Sequence, residues 1–333
     1  MYNVAFFTES DLDGKITDRN FPNARTDVAW IIALQAYHIG LVNSTSKINM
    51  LKKQGVSFDI GIIILPKNQE VLTHSIISNN IVDNAKQICK KVAIMQEGPN
   101  WYFQDYNISL QQIYYSALLR ADFILCHNTT DVGYYRGITG KNVYTMRPVM
   151  IEDTIKNISN EVSDNVIIGG NFVSWYGGFD SMIVAKEFNL KIFAPSMGRK
   201  QKNEEYIKGL NLLPYLNWAH WINTLSNFKY AVHLMRTFAA GSFALNCAYW
   251  GIPCIGYKDL DTQVILHHPI LSVELSDVFS ARKAASALQN SPSLYEHSSE
   301  LAKENYNTFY KEEVFIKNMN EVFDNELSTR QEL

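Results

Sequence analysis

NVIIGGNFVSWYGGFDSMIVAKEF, residues 165 to 188, passes from an apolar strand pattern through a glycine-rich turn into an apolar helical pattern. Gly169, Gly170, Gly177 and Gly178 stand where a strand-to-helix turn needs one or two glycines, so something must approach the backbone closely there. A short run apolar on both faces, followed at once by a helix, reads as the start of a βαβ unit in a covered parallel sheet. The pattern then repeats: LKIFAPS (190–196), FKYAVHL (228–234) and IPCIGY (252–257) are short apolar runs, each followed by a helical or loop segment.

The same alternation fills the chain before this segment. NVAFF (3–7), FDIGIIIL (58–65), VAIMQ (92–96) and DFILCH (122–127) read as strands, while RTDVAWIIALQAYH (25–38), NNIVDNAKQICKK (79–91) and LQQIYYSALLRA (110–121) read as helices. The polar stretch RPVMIEDTIKNISNEVSDN (147–165) interrupts the pattern and reads as a connection between lobes. The expected fold is therefore α/β, with two Rossmann-like doubly wound lobes facing a central cleft. Residues 1–155 form the first lobe, 156–310 the second, and 311–333 a C-terminal helix and tail able to cross back to the first. Ligands of such sheets bind beyond the carboxyl ends of the strands.

The composition fits this picture: 333 residues, 47% hydrophobic and 19% charged, with a net charge of -3, describe a globular protein without a nucleic-acid coat. The charge is unevenly spread. Residues 1–150 hold 14 basic and 12 acidic side chains (net +2), leaving 16 and 21 (net -5) for the rest, so a polyanion would prefer the first half. Cys89, Cys126, Cys247 and Cys254 lack metal-ligand or redox spacing and read as buried free thiols. The start, MYNVAFFTESDLDG, reaches acidic residues at once and no apolar run approaches a membrane span, so the expected location is cytoplasmic.

Three segments of the second lobe carry chemistry. In the opening turn, backbone N–H groups at Gly170, Tyr176 and Gly177 and the following helix N-terminus can face a phosphate; the plainer alternative packs Trp175 and Tyr176 against the core. The turn is not a GxGxxG fingerprint, and no GxxxxGK[ST] occurs in the chain, which argues against dinucleotide dehydrogenases and P-loop proteins. In APSMGRK, Arg199 and Lys200 at a strand's carboxyl end can neutralise a pyrophosphate, unless they are a solvated basic turn. In HLMRTFAAGSFALNCAYWGIPCIGY (233–257), Arg236 precedes a small-residue run in which Gly241 and Ser242 open an apolar helix whose N-terminus points the same way.

Two Rossmann-like lobes, a Gly-rich turn, a basic pair and the sequence "small run, helix, GxP" together resemble the GT-B glycosyltransferases over nearly the whole chain. The resemblance implies transfer of a sugar from a nucleotide diphosphate, with a UDP-sugar as expected co-substrate and no metal or other cofactor. In the large retaining branch of that fold a glutamate five residues before the GxP glycine holds the ribose; Asn246 stands there, and Phe238 where an earlier acid would lie. A closer resemblance is to the DNA glucosyltransferases of T4-like phages, through MQEGPNW (95–101), LRADFILCHN (119–128) and SWYGGFD (174–180). It implies 5-hydroxymethylpyrimidine in double-stranded phage DNA as acceptor, and a host cytoplasm as location. A surface glycan is the alternative acceptor; a sugar-nucleotide epimerase or a non-catalytic binder of the same fold are the alternatives of a different class.

On this reading Glu97, just after the strand VAIMQ, is the catalytic carboxylate: it can take the acceptor hydroxyl's proton or steady positive charge at the sugar carbon, where otherwise it only caps the next segment. His127 can bind a sugar hydroxyl. Asp13, Lys15, Arg25 and Asp27 border the acceptor, with Lys15, Arg19 and Arg25 available to DNA phosphates, and Trp101 can stack on an exposed base. Trp30 reads as core. DLD occurs at 11–13 and 259–261, as the metal-dependent GT-A fold would use it. The restart of the strand pattern at Asn165 argues against one continuous lobe, so Asp261, Thr262 and Gln263 are assigned to the donor pocket without a metal.

Overall fold

The computed structural model describes residues 2–10, 12–66, 68–78, 80–155, 163–170, 172–173, 175–196, 204–237 and 239–328. Contacts divide the chain into two units: the first runs from the start to Arg19, covers Thr26–Ile151 and resumes at Glu312, and the second holds Asn20–Arg25 and Glu152–Lys311.

In the first unit the strands are β1 (Val4–Thr8), β2 (Gly14–Lys15), β3 (Tyr37–Gly40), β4 (Phe58–Ile64), β5 (Cys89–Gln96), β6 (Phe123–Cys126) and β7 (Val143–Thr145). They form one sheet in the order β2-β3-β1-β4-β5-β6-β7, parallel except where the two-residue β2 meets β3. Helices α1 (Thr26–Ala33), α2 (Ser44–Lys53), α3 (Gln69–Thr73), α4 (Ile81–Ala85), α5 (Ile108–Arg120) and α6 (Thr129–Thr139) supply the crossovers. Successive residues of a strand point to opposite faces, and Phe6 and Phe7 are both fully buried, so β1 is covered on both sides.

Two elements differ from the sequence reading. The helix expected over 25–38 stops at Ala33, because Gln35 adopts a left-handed φ of +49° and Ala36 N–H bonds back to Ile31 O. The chain turns directly into β3, which pairs with β1. Cys89–Lys91, expected as a helix end, open β5 instead.

The second unit contains β8 (Ser163–Ile168), α7 (Gly178–Ala185), β9 (Lys191–Ala194), β10 (Leu210–Leu212), α8 (Trp218–Leu225), β11 (Phe228–His233), α9 (Ser242–Trp250), β12 (Cys254–Tyr257), α10 (Asp261–Leu266), β13 (Ser272–Val273), α11 (Val278–Asn290) and α12 (Pro292–Phe309). Its sheet, β10-β9-β8-β11-β12-β13, is parallel throughout. Numbered by appearance this is the 3-2-1-4-5-6 order of dinucleotide-binding sheets, whose strand order reverses between β8 and β11. Asn20–Arg25 lies against α8, where Trp218 N–H donates to Asn23 Oδ1 (3.2 Å) and Ala219 N–H to Pro22 O (3.3 Å).

The last helix, α13 (Glu312–Ser328), belongs to the first unit and buries Phe315, Met319 and Phe323 at helical spacing. Its ends are pinned. Arg19 donates to both carboxylate oxygens of Glu312 (3.1 and 2.7 Å), and the buried Glu326 accepts from Asn142 Nδ2 and the Tyr144 hydroxyl (2.8 Å each). Burial and that carboxylate push the Tyr144 phenol up to about 12. Glu326→Ala would strand both donors, and urea unfolding should show a loss of about 1–3 kcal/mol that Glu326→Gln largely restores, since the amide oxygen still accepts.

Candidate active site

In the second unit the two loops flanking the strand-order reversal are joined by backbone. Gly177 sits at φ +63° as N-cap of α7, and a Cβ there would run into the carbonyl of Leu234, just after β11. Around this contact Arg236 N–H and the Thr237 hydroxyl both donate to Trp175 O (3.1 and 2.6 Å). Ser181 Oγ donates to Gly177 O (2.8 Å) and accepts from Leu234 N–H (2.9 Å). The excess of glycine is thus explained in part by the fold itself: the loop after β8 lies directly on the loop after β11. Tyr176 packs over Gly170, whereas Trp175 and Phe179 are exposed.

Helix α9 begins in the same manner. Gly241, its N-cap at φ +69°, lies against Thr262 so closely that a Cβ would meet Thr262 Oγ1. Where α8, α11 and α12 are capped by Asn217, Asp277 and Ser291, α7 and α9 start on glycine with no side-chain cap, leaving their first N–H groups open to an anion. Arg236 stands on the loop between β11 and α9, its guanidinium 2.6 Å from Asp180 in the first turn of α7, whose hydrogen bond and charge raise its pKa further. The surrounding polar atoms are poorly served by the protein. His233 Nδ1 and Nε2, Asn246 Oδ1, Asp259 Oδ2 and Thr262 Oγ1 are buried without a hydrogen-bond partner among the described residues. Asp261 opens α10, and Arg199 and Lys200 lie outside the described residues, as does Phe238.

In the first unit Asp27 and Glu97 come within electrostatic reach of each other. Asp27, in the first turn of α1, accepts from Val28 N–H (2.9 Å) and Ser10 Oγ (3.2 Å); burial raises its pKa, and the charge of Glu97, just beyond β5, raises it further. His127 follows β6, buried beside Trp30 at 5.6 Å between ring centroids, while Trp30 donates to Arg147 O (2.9 Å) and is core. Trp101 is half-buried next to Tyr102. Three further acceptor-side candidates have partners within their own unit. Asp13 accepts from Gly40 N–H (3.0 Å) and lies 3.7 Å from Lys47 Nζ; Arg19 holds Glu312; Arg25 donates to Leu216 O (2.6 Å) within the second unit. Lys15 is exposed on the edge strand β2. Asp11 is outside the described residues, which hold no cluster of three or more metal-ligating side chains. None of their helices is long and apolar enough to cross a membrane.

Sequence reasoning passed over His233, Asp180 and Tyr257. His233 carried a usable signal, an imidazole closing an apolar strand three residues before Arg236, and Asp180 lay inside the opening quotation.

No family model and no curated protein matches the sequence. Solved structures do. A sucrose-phosphate synthase from Thermosynechococcus elongatus superposes with a TM-score of 0.71 at 9% identity, over 98% of this chain and all of that one. The phage T4 α-glucosyltransferase in complex with UDP and a 13-mer DNA containing a HMU base gives 0.64 at 15% identity, over 97% and 99%. S. aureus TarM, in a complex with UDP, gives 0.62 at 11% identity over 83% of this chain; the match spans only 58% of TarM. The chain therefore has the GT-B fold of nucleotide-sugar glycosyltransferases, with two parallel sheets flanked by helices.

Two measurements check the local physics. Gly177→Ala combines an unfavourable φ with a collision against backbone, and should cost about 2 kcal/mol or more by chemical unfolding. His233 and His267 are buried and desolvation lowers both to about 4, whereas an unfolded imidazole titrates near ~6.5. Between those values the unfolded state takes up protons that the folded state refuses, so stability falls as pH drops, by roughly 3 kcal/mol per imidazole at most. Asp27, with its raised pKa, opposes this in part. Melting temperature measured from pH 7 to 4.5 should decline less steeply in His233→Asn than in the wild type.

Proposed function

We propose that the protein is a glycosyltransferase that moves a sugar from a UDP donor to a hydroxyl. The observation that carries this reading is the pair of uncapped, glycine-opened helices α7 and α9 at the strand-order reversal, with the Arg236 guanidinium beside them. Backbone N–H groups and a guanidinium aimed at one place suit a diphosphate leaving group, whose charge grows as the sugar departs. Gly170, Tyr176, Gly177, Arg236, Gly241 and Ser242 are assigned to the diphosphate, with Arg199 and Lys200 as further cations. Asp180 keeps the Arg236 guanidinium in place. Asn246 offers a buried amide oxygen for a ribose hydroxyl, and Asp261, in the first turn of α10, is assigned to the donor side with it. UDP as the nucleotide is supported by the UDP complexes among the neighbours.

The acceptor side is assigned to the carboxyl ends of the first unit's strands. Glu97 is the catalytic carboxylate, Asp27 its charged neighbour, and His127 and Trp101 contacts to the acceptor. The acceptor proposed is 5-hydroxymethylpyrimidine in DNA, supported by the DNA complex of one neighbour over nearly the whole of both chains.

Thermal shift across UDP, ADP, GDP and TDP tests the donor: UDP should stabilise most, and stabilisation by none of them would overturn the reading. Incubation with hydroxymethylated duplex DNA and UDP-sugars, followed by digestion to nucleosides and mass spectrometry, tests the acceptor; an unmodified nucleoside pool beside a glycosylated surface glycan would replace it. Arg236→Ala should reduce transfer by roughly 100-fold or more while the melting temperature moves little, because the removed group is half exposed.

A further inference from the structure

Two histidines of the second unit are buried to the same degree and shifted alike, yet the fold treats them differently. His267 is satisfied: its Nε2 lies 3.0 Å from Ala244 O, and its Nδ1 accepts from Cys254 N–H (3.4 Å). His233, at the carboxyl end of β11, has neither nitrogen bonded by any described residue.

Its ring is nonetheless fixed. A Cβ on Gly169 would come within 2.6 Å of the imidazole, so backbone after β8 lies flat against it; Phe243, in the first turn of α9, meets it edge-on with centroids 4.9 Å apart. A ring clamped this tightly and left without partners places one N–H and one bare nitrogen beside the reversal point, three residues before Arg236. Each unsatisfied buried polar group carries a desolvation cost. A phosphate oxygen only accepts and could serve one nitrogen; hydroxyls both donate and accept and could serve either.

From this we infer that His233 is a specificity-determining residue that hydrogen-bonds, as a neutral imidazole, to a hydroxyl of the sugar-nucleotide donor, on the ribose or on the transferred sugar. The inference rests on the donor reading above and adds to it a neutral contact, separate from the cationic ones on the diphosphate.

The test is isothermal titration of the full chain with UDP and with UDP-glucose, for wild type, His233→Phe and His233→Asn. His233→Phe keeps the ring's packing and removes both nitrogens, so it should melt no lower than wild type yet bind about 10- to 100-fold more weakly. His233→Asn, which keeps a donor and an acceptor, should recover part of the loss and serves alone should the phenylalanine variant not fold. Weakening already seen with UDP assigns the contact to the ribose; weakening confined to UDP-glucose assigns it to the transferred sugar. Affinity unchanged in both variants would overturn the inference and mean that buried water satisfies the ring. Absence of binding in the wild type would instead overturn the donor reading, and this contact with it.

Discussion

The contact on which the second unit depends is backbone against backbone: Gly177 on the carbonyl of Leu234, with Ser181, Trp175 and Thr237 bonding the same two loops together. In a doubly wound sheet the crossovers on either side of the reversal run to opposite faces, which opens a crevice at the strand ends. Here the loops are held at its floor, so the first turns of α7 and α9 start from one rigid place. A side chain at residue 177 would separate them. The same atoms that build the crevice thus set the direction of the helix N–H groups, and the fold and the proposed anion site are one problem rather than two.

That coupling governs how far the sequence could be read. The apolar runs at 165–168, 228–233 and 254–257 gave the parallel sheet directly, because burial on both faces leaves no alternation to confuse. β3 was hidden because ALQAYHIG continues the apolar spacing of α1, and only the left-handed turn at Gln35, which no glycine announces, separates helix from strand. The glycines of the opening segment were legible as a close approach, but what approaches is in part the protein's own backbone, a tertiary fact that no local pattern encodes. Asp27 and Glu97 were each legible as residues at strand ends; their mutual influence, across 70 residues of chain, was not.

Charge is where composition misleads most. The net +2 of residues 1–150 suggested a surface for polyanions, yet many of its lysines belong to helix ends and strand starts. Lys52 and Lys53 close α2, Lys86 caps α4, Lys90 and Lys91 lie at the start of β5, and Lys141 precedes β7. In a parallel α/β unit these positions share the amino-terminal edge of the sheet, where cations complement helix C-termini. Burial and the charge of Lys86 lower the pKa of Lys141, and Asp59 and Asp122 neutralise Lys90 and Lys86. This positive edge is accounted for by helix dipoles. It lies opposite the carboxyl ends that carry Asp27, Glu97 and His127, so an anionic acceptor there would have to be recognised by other means.

Among the described residues, the second unit satisfies both nitrogens of His267 with backbone and bonds Gln263 Nε2 to Cys254 O and Leu271 O, while His233, Asn246 and Thr262 keep open atoms. Each open buried atom carries a desolvation cost, and for packing alone an apolar residue of similar shape would be the more stable choice. Their chemistry is neutral and hydroxyl-like, whereas the helix N-termini and Arg236 are positive. The donor proposed for this unit, a sugar nucleotide, carries both a compact anion and hydroxyl groups, which inorganic phosphate and a nucleobase do not combine.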